Sequence, residues 1–481
     1  MGSLYQDPMA SVPMIIMDET IGLRLVPDEI SLSDPVMLRH VLCSSIVVHN
    51  LFHVILCCRQ LRKCHRVQEP PRQMRNVMSP AAFQAAKNDE MHAVERQLMG
   101  YVFDAIFSCM ELYFGVFHIL WDRTMALYGN VGEIVWRNLA YMALFATYMV
   151  FRTLPLVFYE KLTLDNRYNV DPEKAPPLVG VICALAFVIV FLQVLLIPLT
   201  AIFLYIEIYG GYYFVFWIWG FLFAVSMLAL IFFSLFGLPC LGSSSRLPEG
   251  SLRNQLLVVL EDYNFPSNRV TLMHTFHIAN ATAFVWGYGC CKRLVILDNL
   301  IHNRAMPVAE LLPEEINMGL SDIQVAAFVA HQLSHWRYYH LLKGFILVHV
   351  SLIIYMALFG TCYHVHALYE AAGFPHNYYP IIVGYWLVYK YVMPPYLTIA
   401  NWIIFYYIRH SEYTADNDAW RRGYGPALRE ALLKLFADHH VFPFDDHWYL
   451  MWYRTRPSCL QRIRNLQRLD LGTRLSRIEL I

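Results

Sequence analysis

The chain is short of charge. Asp, Glu, Lys and Arg make up 15% of its 481 residues, against an apolar share of 57%, where about a quarter charged is usual in a globular domain. That shortage excludes an ordinary soluble multidomain protein. The formal net charge is +0, so no overall field favours nucleic acid or acidic partners. No C-x-x-C occurs. The 11 cysteines scatter through apolar runs, apart from the adjacent pairs Cys57-Cys58 and Cys290-Cys291. This excludes a disulfide framework or a cysteine zinc cluster and leaves small buried hydrophobes. The first 35 residues carry Asp7, Asp18, Glu19, Asp28 and Glu29 and lack a basic n-region, so no cleaved signal peptide is expected. Gln6 breaks the myristoylation pattern, and the C-terminal residues carry neither a prenylation box nor a retention signal. Internal repeats and low-complexity segments are absent.

Long apolar runs are abundant, and mean hydropathy is +0.39. Seven stretches reach the roughly 20 residues a bilayer requires: 38–58, 101–121, 133–158, 178–206, 211–237, 344–368 and 381–408. The fourth and fifth are separated by a turn at Tyr209-Gly210-Gly211. The second contains Asp104 and Glu111, and the seventh is interrupted by Lys390, Pro394 and Pro395. Ionisable groups are costly in lipid, so these are expected to face protein or a water-filled cavity.

Three polar regions separate the spans. The first, 59–100, opens with Arg59, Arg62, Lys63 and Arg66, a cluster that favours the cytosolic side. The second, 238–343, holds short strand patterns at 270–276, 282–289 and 293–300, with Gly287 and Gly289 at a bend. A helix is predicted from Ser321, with Ser321 as N-cap and Gln324 three residues on. The third, 409–481, is helical in pattern and ends rich in arginine, including Arg462, Arg464, Arg468, Arg474 and Arg477.

Chemistry concentrates in FVAHQLSHWRYYH, residues 328 to 340. His331 and His335 are four apart, so a helix puts both imidazoles on one side. Zinc needs a third protein ligand, and RHSEYTADNDA (409–419) offers Glu412, with Asp416 one turn on as a carboxylate able to orient a ligand histidine. Alone, H-x-x-x-H also fits two packed core histidines. The tyrosine- and tryptophan-rich runs at 209–220 and 447–453 are read as interfacial belts or packing.

The chain resembles the type I CAAX prenyl proteases, integral-membrane zinc metalloendopeptidases that trim prenylated C-terminal tails. The likeness rests on LPEG (247–250), AFVWGYGCCKRLVILDNL (283–300), VAAFVAHQLSHW (325–336), EYTADNDA (412–419) and FPFDDHWYLMWYRTRPSCLQRI (442–463). It implies an all-α multi-span membrane protein, with seven transmembrane helices around an intramembrane chamber and a zinc-metallopeptidase domain containing a small β element. The implied organisation is an N-terminal segment 1–37, helices 1–5 over 38–237 with a cytosolic loop 59–100, a first metallopeptidase part 238–343, helices 6–7 over 344–408 and a closing part 409–481. Carried over residue by residue, His331, His335 and Glu412 are the ligands of one Zn²⁺, with Asp416 behind them. The substrate, a prenylated or hydrophobic peptide, is implied to add as a strand along Thr282, Ala283, Phe284, Val285 and Trp286. The membrane implied is that of the endoplasmic reticulum or inner nucleus. Membrane lipid is a partner, nucleic acid is not, and the oligomeric state is left open.

Three positions depart from the family pattern. Gln332 stands where a Glu takes a proton from the attacking water and hands it to the leaving amine; an amide cannot titrate. Arg456 replaces the His that faces the developing oxyanion, and as a bulky permanent cation it also fits a simple pairing with Asp445 or Asp446. Thr282 replaces an Asn beside the strand, and the sequon Asn280-Ala281-Thr282 is taken as accidental. The three changes together point to a natural relative with relaxed catalytic constraint, a possible pseudoenzyme, rather than one shape-preserving substitution. Three alternatives remain: an active prenyl protease using another base such as Asp416, a non-catalytic chamber protein or scaffold for hydrophobic clients, and a transporter. His340 is a poorer base, since a straight helix puts it half a turn off the ligand face.

Overall fold

In a computed structural model, the structure describes residues 34–128, 134–170, 176–232, 243–274, 281–287 and 292–478, apart from 314 and 377. The first 33 residues, Cys290-Cys291, Gly289 and Asn280 of the sequon lie outside the described residues. The protein is mostly helical. In chain order the membrane half contains α1 (Pro35–Arg66), α2 (Pro80–Tyr113), α3 (Val116–Tyr128), α4 (Ile134–Tyr159), α5 (Leu178–Gly210) and α6 (Phe214–Phe232). The next segment supplies β1 (Ser243–Ser245), α7 (Ser251–Asp262), β2 (Val270–His274), β3 (Ala283–Trp286), β4 (Arg293–Leu297) and α8 (Asp322–Arg337). Then come α9 (His340–Tyr363), α10 (His366–Ala371), α11 (Ile381–Leu387), α12 (Pro394–Arg421), α13 (Gly425–Asp438), α14 (His447–Tyr453) and α15 (Cys459–Ile478).

Helix ends follow local chemistry. Asp34 caps α1 by accepting from the Val36 N–H at 3.1 Å, with Pro35 at the first helical position, and Lys63, His65 and Arg66 close its last turn. Gly211, at φ 59°, lets the chain reverse between α5 and α6. Gly115, at φ 60°, sits at the break between α2 and α3, and the two helices are bent by 64°. Four helical stretches among the described residues are long and apolar enough to cross a membrane: Pro35–Arg66, Val135–Arg167, Leu178–Phe232 and His340–Tyr363. The bent α2–α3 pair makes a fifth when taken as one span. The stretch expected at 381–408 is divided into α11, a π turn at Val388–Val392 and α12, whose prolines start the helix rather than break it.

The ionisable groups of these imperfect spans find each other. Arg152 pairs with Asp104 at 2.7 Å and Glu111 at 2.9 Å, and Lys390 also binds Glu111. Tyr148 and Tyr391 donate to the same carboxylate at 2.7 and 3.0 Å. Asp104, Arg152 and Lys390 line a cavity of about 310 Å³, as their cost in lipid required.

The second half is built on a four-stranded sheet of order β1-β2-β4-β3. β2 and β4 are parallel, and β3 is antiparallel to β4, with Ala283 opposite Ile296 and Trp286 opposite Arg293. β1, three serines, gave no strand pattern in the sequence; it is held by antiparallel pairing with β2. α8 presses Val325, Val329 and Leu333 into one core with Leu294 and Ile296 of β4, Leu428 of α13 and Ile463 of α15. Closing α15 over α8 is what delivers the last side chain of the site.

Candidate metal centre

α8 begins at the expected cap, with Ser321 and Gln324 forming a reciprocal capping box. Its third and fourth turns carry His331, which is buried, and His335, which is half-buried. α12 does not stop at 408, where the predicted span ends. It continues from Pro394 to Arg421 as one helix, so Glu412 and Asp416, one turn apart, both project toward α8. Nε2 of His331 lies 3.4 Å from Glu412 Oε2, Nε2 of His335 lies 3.8 Å from Glu412 Oε1, and the two Nε2 atoms are 3.2 Å apart. One donor atom from each of the three residues lies within 4.8 Å of the others. Two imidazole nitrogens and a carboxylate oxygen at this spacing fit one divalent ion of the zinc type.

Asp416, fully buried, fixes His331 from behind: its Oδ1 lies 2.9 Å from Nδ1. With Nδ1 donating to Asp416, Nε2 is left facing His335 and Glu412. Asp416 is itself held by Arg462, whose Nε and Nη2 reach its two oxygens at 2.8 and 2.6 Å, while Nη1 lies 3.2 Å from Glu412. Arg462 is 5% exposed, so the three helices α8, α12 and α15 meet in one buried ionic cluster. Sequence reasoning grouped Arg462 with the other arginines of the C-terminal region and gave it no role in the site. The available signal was its place in the closing segment, six residues after Arg456.

Electrostatics follow from this packing. Burial is the largest influence on the Asp416 and Glu412 carboxylates and acts to raise them, but Arg462 and His331 together outweigh it and hold both below the usual range. Burial and Arg462 oppose a charge on His331, yet Asp416 and Glu412 together raise it above its ordinary value. Burial and then His331 push His335 down to about 3, leaving a neutral donor.

His340 does not lie where straight-helix geometry puts it. Tyr339 is left-handed, at φ 55°, which ends α8 and starts α9 in a new direction. His340 Nδ1 thereby comes 2.9 Å from His335 Nδ1. Arg456 is also not paired with Asp445 or Asp446: those carboxylates take Arg454 at 3.0 Å and Arg59 at 2.9 Å. Its side chain, 70% exposed, reaches across the opening of the site to within 3.5 Å of Glu412. Gln332 follows His331 on α8 and is half-buried. β3 ends the sheet order, so one row of its backbone groups has no neighbouring strand among the described residues. Thr282 extends that strand by accepting from the Leu297 N–H at 3.1 Å, and Ala283 packs in the same core as α8.

Long apolar helices joined to a buried His-His-Glu group define a membrane metalloprotease scaffold. Residues 60–243 match the family model described as CAAX prenyl protease N-terminal, five membrane helices, and residues 246–470 match Peptidase family M48. The chain belongs to the M48 family of CAAX prenyl proteases. It is 23% identical to a CAAX prenyl protease 1 homolog of Taenia solium over 86% of this chain and 92% of that protein. To the Homo sapiens homolog it is 22% identical over 87% and 92%. The crystal structure of S. mikatae Ste24p shares the fold, with a TM-score of 0.69 and 19% identity over 89% of this chain and 98% of that one.

Proposed function

We propose that this protein is a zinc-binding CAAX prenyl protease homologue that holds prenylated C-terminal peptides and hydrolyses them slowly or not at all. The carrying observation is the combination of three converging donors, His331, His335 and Glu412, with a glutamine at the position beside His331. In this reading β3 receives the peptide by backbone pairing, and seven spans enclose the polar cavity: α1, the α2–α3 pair, α4, α5, α6, α9 and the broken α11–α12 segment. The membrane is that of the endoplasmic reticulum or inner nucleus.

The residues divide the work as follows. His331, His335 and Glu412 would hold the ion, which when bound supplies Lewis-acid polarisation of a peptide carbonyl. Asp416 and Arg462 keep His331 in one tautomer and orientation. The Gln332 amide can hydrogen-bond a water but has no site for its proton, so general acid–base help worth roughly 10² to 10⁴ in rate is missing. Arg456 can donate to an oxygen at the opening of the site, though its guanidinium is also drawn to Glu412. Asp416 is a poor substitute base: it has no exposed surface, and both oxygens are taken by Arg462.

The test is cleavage and binding of a farnesylated C-terminal peptide by the purified full chain, with and without chelator. Binding without cleavage is expected. Chelator-sensitive turnover at the rate of an unaltered family enzyme would overturn the impairment, and failure to bind would overturn the substrate class.

A further inference from the structure

A second buried network lies on α12, apart from the one that holds Glu412 and Asp416. Asp418 is six residues beyond Glu412 on that helix, so at roughly 100° per residue it leaves the axis about 120° round from the ligand. It is 7% exposed. Its Oδ2 accepts from Ser334 Oγ at 2.9 Å and from the Tyr263 hydroxyl at 3.0 Å, and its Oδ1 accepts from the Tyr338 hydroxyl at 3.3 Å. The Ser334 proton has a second acceptor, the Ala330 carbonyl at 2.9 Å, but a carboxylate is the stronger one. Arg422 closes the outer side: its Nε lies 3.4 Å from the same Oδ2, and its guanidinium stands 4.1 Å from the centre of the Tyr263 ring. Ser334 and Tyr263 are both buried.

Two of these donors bracket a metal ligand. Ser334 immediately precedes His335, and Tyr338 follows it by three residues, at the end of α8. Tyr338 also stacks on His340, with ring centroids 5.8 Å and planes 15° apart, and His340 Nδ1 is the atom that meets His335. One carboxylate on α12 thus grips the turn of α8 that carries His335, from the same helix that supplies Glu412. Asp416 fixes His331 through its ring; Asp418 acts on His335 through the turn that bears it. Zinc–ligand distances hold to about 0.2 Å, so slack between the two helices costs affinity directly. Given that His331, His335 and Glu412 hold zinc, we infer that Asp418 is a positioning residue for His335. It fixes the last turn of α8 against α12, so that His335 presents its imidazole to the same point as His331 and Glu412.

The test is the zinc affinity of the purified full chain, by competition with a chelator of known strength, read beside the visible absorption of the cobalt-loaded protein, which reports donor geometry. The paired change Ser334→Ala with Tyr338→Phe removes both grips on α8 at little cost in volume. It should weaken zinc binding about 10- to 100-fold and alter the cobalt bands. Asp418→Ala should do at least the same, and Asp418→Asn, which still offers an acceptor oxygen, should recover part of the loss. Tyr424→Phe is the control: it cuts a 2.6 Å hydrogen bond to Asp262, between the end of α7 and the turn after α12, that does not reach Asp418. Affinity and bands should stay as in the parent. Parent-like affinity and bands in the paired Ser334→Ala, Tyr338→Phe variant would overturn the role of Asp418, even if Asp418→Ala fails to fold. So would an equal loss in Tyr424→Phe, which would mean general loosening. A parent chain that binds no zinc would instead overturn the metal centre itself, and the role of Asp418 with it.

Discussion

The Nδ1 atoms of His335 and His340 lie 2.9 Å apart, although one residue sits in the last turn of α8 and the other begins α9. The left-handed Tyr339 between them makes this contact. It gives His335 an orienting partner on the side away from Glu412, as Asp416 does for His331. Replacing His340 by Ala is expected to weaken zinc binding about 10- to 100-fold, the usual cost of losing a partner behind a ligand. His340→Asn, which keeps a hydrogen-bonding group, should recover part of the loss. Equal affinity for both variants and the parent, measured by competition with a zinc chelator of known strength, would mean that the contact does not orient the ligand.

Metal content gives a simpler check. The purified protein should carry one zinc per chain by elemental analysis. His335→Ala and Glu412→Ala should each lose it, because two donors do not make a structural or catalytic zinc site. Retention of stoichiometric zinc by either variant would show that the ion is held elsewhere.

Gln332→Glu restores the one titratable group the site lacks. Hydrolysis of a farnesylated peptide should rise by roughly 10² to 10⁴ and should be abolished by chelation. The gain is to be read from single-turnover rates, so that peptide affinity does not mask it.

Arg456 should limit that rescued enzyme. Adding Arg456→His to Gln332→Glu is expected to raise the rate further, within the roughly 10²- to 10³-fold range of a lost oxyanion donor. If the double variant is no faster than Gln332→Glu alone, then the exposed guanidinium already serves, or the position does not reach the reacting oxygen.

Arg462→Met leaves Asp416 and Glu412 buried without their cation. Removing one partner from a buried ionic group costs roughly 3–5 kcal/mol. A large drop in thermal stability is expected, together with loss of zinc, as His331 loses its fixed neighbour. Asp416→Asn in the same background should return some stability by removing the uncompensated charge. A melting curve unchanged by Arg462→Met would mean that the cluster is hydrated and not buried.

Local chemistry made much of this legible in the sequence. The capping box at Ser321 and Gln324, the four-residue step from His331 to His335, the step from Glu412 to Asp416, and the strand patterns at 270–276, 282–289 and 293–300, inside which β2, β3 and β4 fall, are all set by neighbours close in the chain. The apolar runs and the few charges among them required membrane helices with a polar interior for the same reason: an isolated charge in lipid is too costly to leave unmatched. What sequence could not decide depended on contacts between distant segments or on a single backbone angle. Arg462 looks like one of several tail arginines until α15 closes on α8 and α12, 46 residues from Asp416. His340 falls off the ligand face of any straight helix, and only the φ of 55° at Tyr339 returns it. Arg456 meets Glu412 instead of Asp445 or Asp446 because tertiary packing assigned those acids to Arg454 and Arg59 first. Periodicity reports which residues share a face; it carries no information on which face of which other helix they will meet.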